Sequence, residues 1–218
     1  MFIPSRYGFV LQVAGMLMSA GHLTAQVADR EGYSYKTVQI GKQEWLAENL
    51  NTSHFRNGDP IPEVEGAAEW QAAGNQHQPA WCYYNGDTAS GNKYHKLYNW
   101  YALMDPRGLA PDGWHIPSLA EWAALTGSLG GENGAAIRMK SHDDWDGNNA
   151  SGFTALPGGY RNSNNDFSHI RSIASWWSAS AVDSTNAWSI SIGNGGVVSR
   201  SYDDKRVGLS VRCVRTHP

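Results

Sequence analysis

The chain is poor in charge and carries no strong excess of either sign. Asp, Glu, Lys and Arg make up 17% of its 218 residues, and the formal net charge is -3. A weakly acidic chain lacks the electrostatic footprint that phosphate backbones require, which excludes nucleic acid as a partner. Arg200, Lys205 and Arg206 are interleaved with Asp203 and Asp204 and do not alter that balance. After the first 25 residues no apolar run approaches spanning length, so no membrane span is expected in the mature chain. Cysteine is nearly absent, with Cys82 and Cys213 alone. The signatures of common catalysts are missing as well: no HExxH helix, GxSxG elbow, phosphate loop or CxxC pair occurs. His54, His77, His95, His115, His142 and His169 are scattered, none at i, i+4 from another. His115 reads as a packed or capping residue.

What is abundant is tryptophan, tyrosine and glycine, at 10, 10 and 24 residues. With 41% hydrophobic residues a core can form, and this composition suits many short strands and turns. Residues 1–25 read as a secretory signal peptide. Arg6 precedes an apolar stretch over Gly8–Ala20, and Ala25 offers a small residue for cleavage. Export would carry the protein to the periplasm, the outer membrane, the cell surface or the medium. Residues 26–35 then form a short mature leader, and residues 36–216 a single domain.

Within that domain, residues 37–40 and 43–47 flank Gly41-Lys42 as a β-hairpin. Residues 51–80 form a long surface excursion with a helical turn over 64–73, and a strand follows at 80–84. Leu97, Tyr98, Tyr101 and Ala102 fall at helical spacing. Ser118 and Glu121 make a capping box for a helix bearing Leu119, Trp122, Leu125 and Leu129. A short helix is predicted over 135–140. Strands follow at 176–179, 187–192, 197–200 and 209–215. Leu209, Val211 and Cys213 alternate onto one buried face, and at most one of Trp176 and Trp177 points inward if that run is a regular strand. Helices first and strands after predict an α+β domain.

Two small features carry alternative readings. In an oxidising compartment Cys82 and Cys213 would pair, closing a long loop worth ~4 kcal/mol, or they pack as two separate buried thiols. Asp144, Asp146 and Asn148 gather oxygen ligands around Gly147, a weak candidate for calcium. They also suit a polar turn.

The C-terminal third interleaves aromatics with short polar residues, as binding surfaces do. It supplies the candidate ligand-binding residues Tyr160, Arg161, Asn162, Asn164, Trp177, Arg200, Tyr202 and Asp203. Arg161 has an alternative role, pinning the neighbouring Gly158-Gly159 turn to carbonyls.

Seven ordered stretches carry a resemblance: residues 45–50 (WLAENL), 79–85 (PAWCYYN), 96–102 (KLYNWYA), 108–118 leading to Glu121-Trp122, 152–161 (GFTALPGGYR), 176–180 (WWSAS) and 211–215 (VRCVR). Their order and spacing resemble the Fibrobacter succinogenes major paralogous domain family, found in exported proteins of Bacteroidetes and Fibrobacter. The resemblance implies a C-type lectin-like fold, with two main helices packed on a twisted antiparallel sheet and long loops opposite. It implies no agreed activity, and a fold does not confer one. The function expected is a non-catalytic secreted or cell-surface binding module for a glycan or protein. The alternatives are an enzyme of the sulfatase-modifying, formylglycine-generating type and a structural envelope component.

Overall fold

A computed structural model describes residues 27–216, so the expected signal peptide lies outside the described residues. In chain order the strands and helices are β1 (Val27–Ala28), β2 (Ser34–Tyr35), β3 (Thr37–Ile40), β4 (Gln43–Leu46), α1 (Ala67–Asn75), β5 (Trp81–Cys82), α2 (Thr88–Tyr94), β6 (Leu97–Tyr98) and α3 (Trp100–Leu103). There follow α4 (Leu119–Ser128), α5 (Gly131–Met139), β7 (Gly158–Arg161), β8 (Phe167–Ile170), β9 (Ala174–Ala181), β10 (Asn186–Ile192), β11 (Val198–Asp204) and β12 (Val214–Thr216). The fold is mixed α and β. Its largest sheet has five strands in the order β11-β10-β9-β7-β8, antiparallel except where β7 meets β9. A three-stranded sheet, β12-β4-β3, ties the start of the domain to its end.

The start of the described chain is paired and partly buried. β1 pairs with β2, Val27 and Tyr35 are buried, and the Tyr35 hydroxyl donates to Asp29 and accepts from the Asn51 amide. The hairpin at β3–β4 forms as its turn residues predict. At Ser118 the capping box is complete: the hydroxyl accepts from the Glu121 amide, and the Glu121 carboxylate accepts from the Ser118 amide. Trp122 and Leu125 of α4 then face the core beside Ala135, Ala136 and Met139 of α5.

Residues 97–102 divide instead of forming one helix. Leu97 and Tyr98 pair with β5, and only the turn α3 is helical. Asn99 sets the boundary, because its side chain accepts the Ala102 amide and starts the helix after itself. An apolar pair fits a strand as well as a helix, and the cap decides between them.

The larger correction concerns the five-stranded sheet. Trp176 and Trp177 are both fully buried, although they point to opposite faces. One face packs Ala174, Trp176, Ile190, Ile192 and Val198 against α4 and α5. The other carries Trp177 and Ala187 into a second core with Trp81, Tyr98, Leu209 and Val211. A central strand with a core on each side hides both rings. Residues 207–214 are likewise buried without alternation. That segment makes isolated bridges to Tyr98, Trp176 and His115, and only its end joins β12. Ser210 and Arg212 are buried beside Leu209 and Val211 because protein groups satisfy them.

Candidate functional site

Strand register sorts the C-terminal residues by face. Along β10 and β11, Ser189 sits opposite Ser201, Ser191 opposite Ser199, and Ala187 opposite Asp203. Across to β9, Ser191 pairs with Ser175 and Ser189 with Trp177. Side chains alternate across a strand, so this face carries a row of serines ending at Asp203. The serines stay on the open part of the face, while Trp177 and Ala187 serve the core.

Ser175, Ser189, Ser191, Ser201 and Asp203 line a trough of about 160 Å³, closed by Tyr160 from β7 and by Ile173 and Leu209. Tyr160 is half-buried, and its ring stacks on His169 at 5.3 Å and 12°. Burial, helped by the nearby Asp203 charge, raises the Tyr160 hydroxyl and keeps it a donor. Ser189 Oγ donates to Asp203 Oδ2 at 2.5 Å. Ser175 is only 6% exposed, yet its hydroxyl has no partner among the described residues. A nearly buried hydroxyl aimed into open space calls for an outside partner, water or ligand. Among the described residues no His, Lys or Cys lines the trough. The Ser189–Asp203 pair therefore lacks the base relay that nucleophilic serines use.

Gly159 fixes the Tyr160 end of the trough. Its φ is +66°, and a Cβ there would come within 2.5 Å of the Ser168 carbonyl and 2.7 Å of the Ile170 nitrogen. Only glycine lets β7 approach β8 this closely while presenting Tyr160.

Of the residues named from the sequence, Tyr160 and Asp203 meet in the trough, and the others do not. Arg161 is buried; Nη1 and Nη2 donate to the Val64 and Glu65 carbonyls at 3.0 Å each, and its guanidinium lies over Trp70. It pins the 51–80 excursion to β7, so its carbonyl partners are remote from the Gly158-Gly159 turn. Trp177 is buried and donates to the Tyr98 carbonyl, a core role. Asn162 builds the β7–β8 turn by accepting from the Asn164 and Asp166 amides, with Asn164 exposed at its tip. Arg200 and Tyr202 lie on the opposite, helix-facing side of β11. Arg200 pairs with Glu132 of α5, and Tyr202, 59% exposed, meets Trp188 edge-on.

The serines were missed, although their signal was available. Ser189 and Ser191 alternate with Trp188, Ile190 and Ile192, while Ser199, Ser201 and Asp203 alternate with Val198, Arg200 and Tyr202. Two facing strands with small polar residues at period 2 describe a wetted sheet face.

The remaining features resolve differently. Cys82 and Cys213 are free, buried thiols in different clusters, not a disulfide. Burial pushes the Cys82 thiol up to about 12 despite the Arg161 charge nearby, and it raises Cys213 too. Such thiols are poor nucleophiles. In the weak calcium candidate, Asp144 accepts from Lys93, Asp146 from Lys140, and the Asn148 side chain from the Ala150 amide. Lysines thus take the carboxylates, as in a structured polar turn. Among the described residues no three His, Cys, Asp or Glu side chains gather as metal ligands. Nor is any described helix long and apolar enough to cross a membrane.

With fold and site in place, the chain is assigned to its class. Residues 38–215 match the Fibrobacter succinogenes major domain, and the chain belongs to that family. No curated protein and no solved structure matches it.

Proposed function

We propose that the protein is a non-catalytic binding module of C-type lectin-like fold, exported to the cell surface or the medium, whose serine-lined trough takes one sugar unit of a glycan. The observation that carries this reading is the trough's composition. Ser175, Ser189, Ser191 and Ser201 offer hydroxyls that donate or accept, Asp203 accepts, and the Tyr160 ring gives an apolar wall. A sugar ring matches that set, with hydroxyls around its edge and C–H groups on its faces. A protein side chain rarely presents so many hydroxyls at once. The buried, protonated thiols argue against cysteine chemistry of the sulfatase-modifying type.

The test is a glycan array probed with the wild-type chain and with Asp203→Ala. Removing a charged hydrogen-bond partner should weaken binding to any hit by about ten-fold or more. Arg200→Ala, on the other face, should leave the same hits unchanged. Hits that survive Asp203→Ala and vanish with Arg200→Ala would reject the trough.

A further inference from the structure

A second cavity, of about 280 Å³, is built from different elements. Tyr33 comes from the β1–β2 turn, Glu48 and Asn49 follow β4, and Lys93, Tyr94 and His95 end α2. Thr154 and Leu156 lie before β7, and Arg212 lies before β12. Three of the stretches that carry the family resemblance therefore meet here, around Glu48, Thr154 and Arg212.

Two of its wall residues hold backbone conformations that their side chains disfavour. His95 has φ 68° and ψ -163°, a region otherwise occupied by glycine. Thr154, which is β-branched, has φ 53°. Both are held in place: Thr154 by Asn149 on its amide and hydroxyl, His95 by the Asn49 carbonyl. That carbonyl can only accept, so His95 Nδ1 carries the proton and donates across 2.6 Å. A neutral His95 then presents the lone pair of Nε2, which has no hydrogen-bond partner among the described residues. Burial pushes the imidazole below its ordinary range, which favours the neutral form.

The charges around this cavity do not pair with each other. Lys93 is matched by Asp144. Arg212 is 1% exposed, and four of its five N–H groups go to neutral oxygens: Asn49 Oδ1 and the carbonyls of Leu46, Phe153 and Thr154. Among the described residues no carboxylate lies within ion-pair distance of it. Glu48 accepts from the Tyr33 hydroxyl at 3.0 Å and the Lys36 amide at 3.1 Å, and among the described residues it forms no close ion pair. Buried cations are normally matched by an anion. Here a cation and an anion border one cavity and attract each other without forming a close ion pair, with a neutral imidazole acceptor beside the anion and the Tyr33 ring 5.7 Å from that imidazole.

We propose that this cavity binds a small zwitterion of the α-amino-acid class, its ammonium on Glu48 and His95 Nε2 and its carboxylate on the free N–H of Arg212 Nη2. Leu156 and the tyrosine rings receive the side chain. An ammonium supplies a cation to Glu48 and a donor to Nε2, and a carboxylate supplies the close anion that Arg212 lacks. The dipole of such a ligand matches the arrangement without adding net charge.

Calorimetric titration of the full chain with each of the common free L-amino acids tests this. At least one should give saturable heat with a Kd of about 1 mM or tighter. Its N-acetyl form, which has no ammonium, and its carboxamide form, which has no carboxylate, should each bind about ten-fold more weakly or not at all. His95→Gly should lose binding by a similar factor while the chain stays folded, because relief of the backbone strain offsets part of the lost Asn49 hydrogen bond. If that variant does not fold, Glu48→Gln supplies the same test, since the carboxamide oxygen still accepts from the Lys36 amide and its NH2 can donate to the Tyr33 hydroxyl oxygen. No heat from any amino acid up to about 10 mM overturns the proposal. So do equal binding by the blocked forms and wild-type affinity in the folded variant.

Discussion

Arg161 and Arg212 do the same work at two places in the molecule. Each is a buried guanidinium whose forked donors collect backbone carbonyls from segments distant along the chain, the Val64–Glu65 pair in one case and Leu46, Phe153 and Thr154 in the other. Removing Arg161 takes the donors from the Val64 and Glu65 carbonyls, empties a buried side-chain site and takes the cation away from Trp70. Arg161→Ala should therefore lower stability by about 2–4 kcal/mol, read from the denaturant midpoint. An unchanged midpoint together with lost ligand binding would return Arg161 to the ligand surface. The sequence could not separate these roles, because an arginine after Gly-Gly-Tyr suits a surface loop as well as a buried staple. Its partners lie about a hundred residues away along the chain, at Val64 and Glu65. Tyr202 was legible as exposed because its neighbours Arg200, Ser201 and Asp203 are all polar. Which face it occupies depended on the register with β10.

At the scale of elements, local chemistry was the readable part. The α4 start was legible because Ser118 and Glu121 satisfy each other within one turn. Ser118→Ala should cost about 1 kcal/mol, and an unchanged midpoint would mean that the hydroxyl caps nothing. The same cap carries a pH signature. Burial alone would raise the Glu121 carboxyl, but the Ser118 amide and the His115 ring hold its charged form and bring it below 4.5. A carboxyl lowered in the folded state stabilises above pH 4.5, and that contribution is lost as the pH falls through the folded-state value. Glu121→Gln should flatten the acid limb of the melting-temperature profile; an identical limb in both proteins would remove Glu121 from the cap. The strands around the trough were harder to read, because β7 opens on two glycines and looks like a turn. Gly159 is there for its positive φ and its closeness to β8, so Gly159→Ala should destabilise by about 2 kcal/mol or more and loosen Tyr160. A wild-type melting curve for that variant would mean that β7 and β8 can separate freely.

For the whole molecule, the decisive fact is that the five-stranded sheet is buried on both sides over part of its area. Trp176 faces the helices, Trp177 faces the opposite core, and the serine rows occupy the ground that the second core leaves open. A C-terminal surface that reads as continuous along the chain is thus cut in two by side-chain alternation. Asp203 and Tyr160 go to one side, Arg200 and Tyr202 to the other. The binding account depends on that division, and chemical-shift mapping tests it directly. An isotope-labelled chain is titrated with a glycan that the array identifies, and the backbone amide shifts are followed. The account predicts saturable shifts at Ser175, Ser189, Ser191, Ser201 and Asp203 and at the Tyr160–His169 pair, with Glu132 and the amides of α4 and α5 unmoved. Shifts centred on α4, α5 and Glu132, with the serine rows silent, would contradict it.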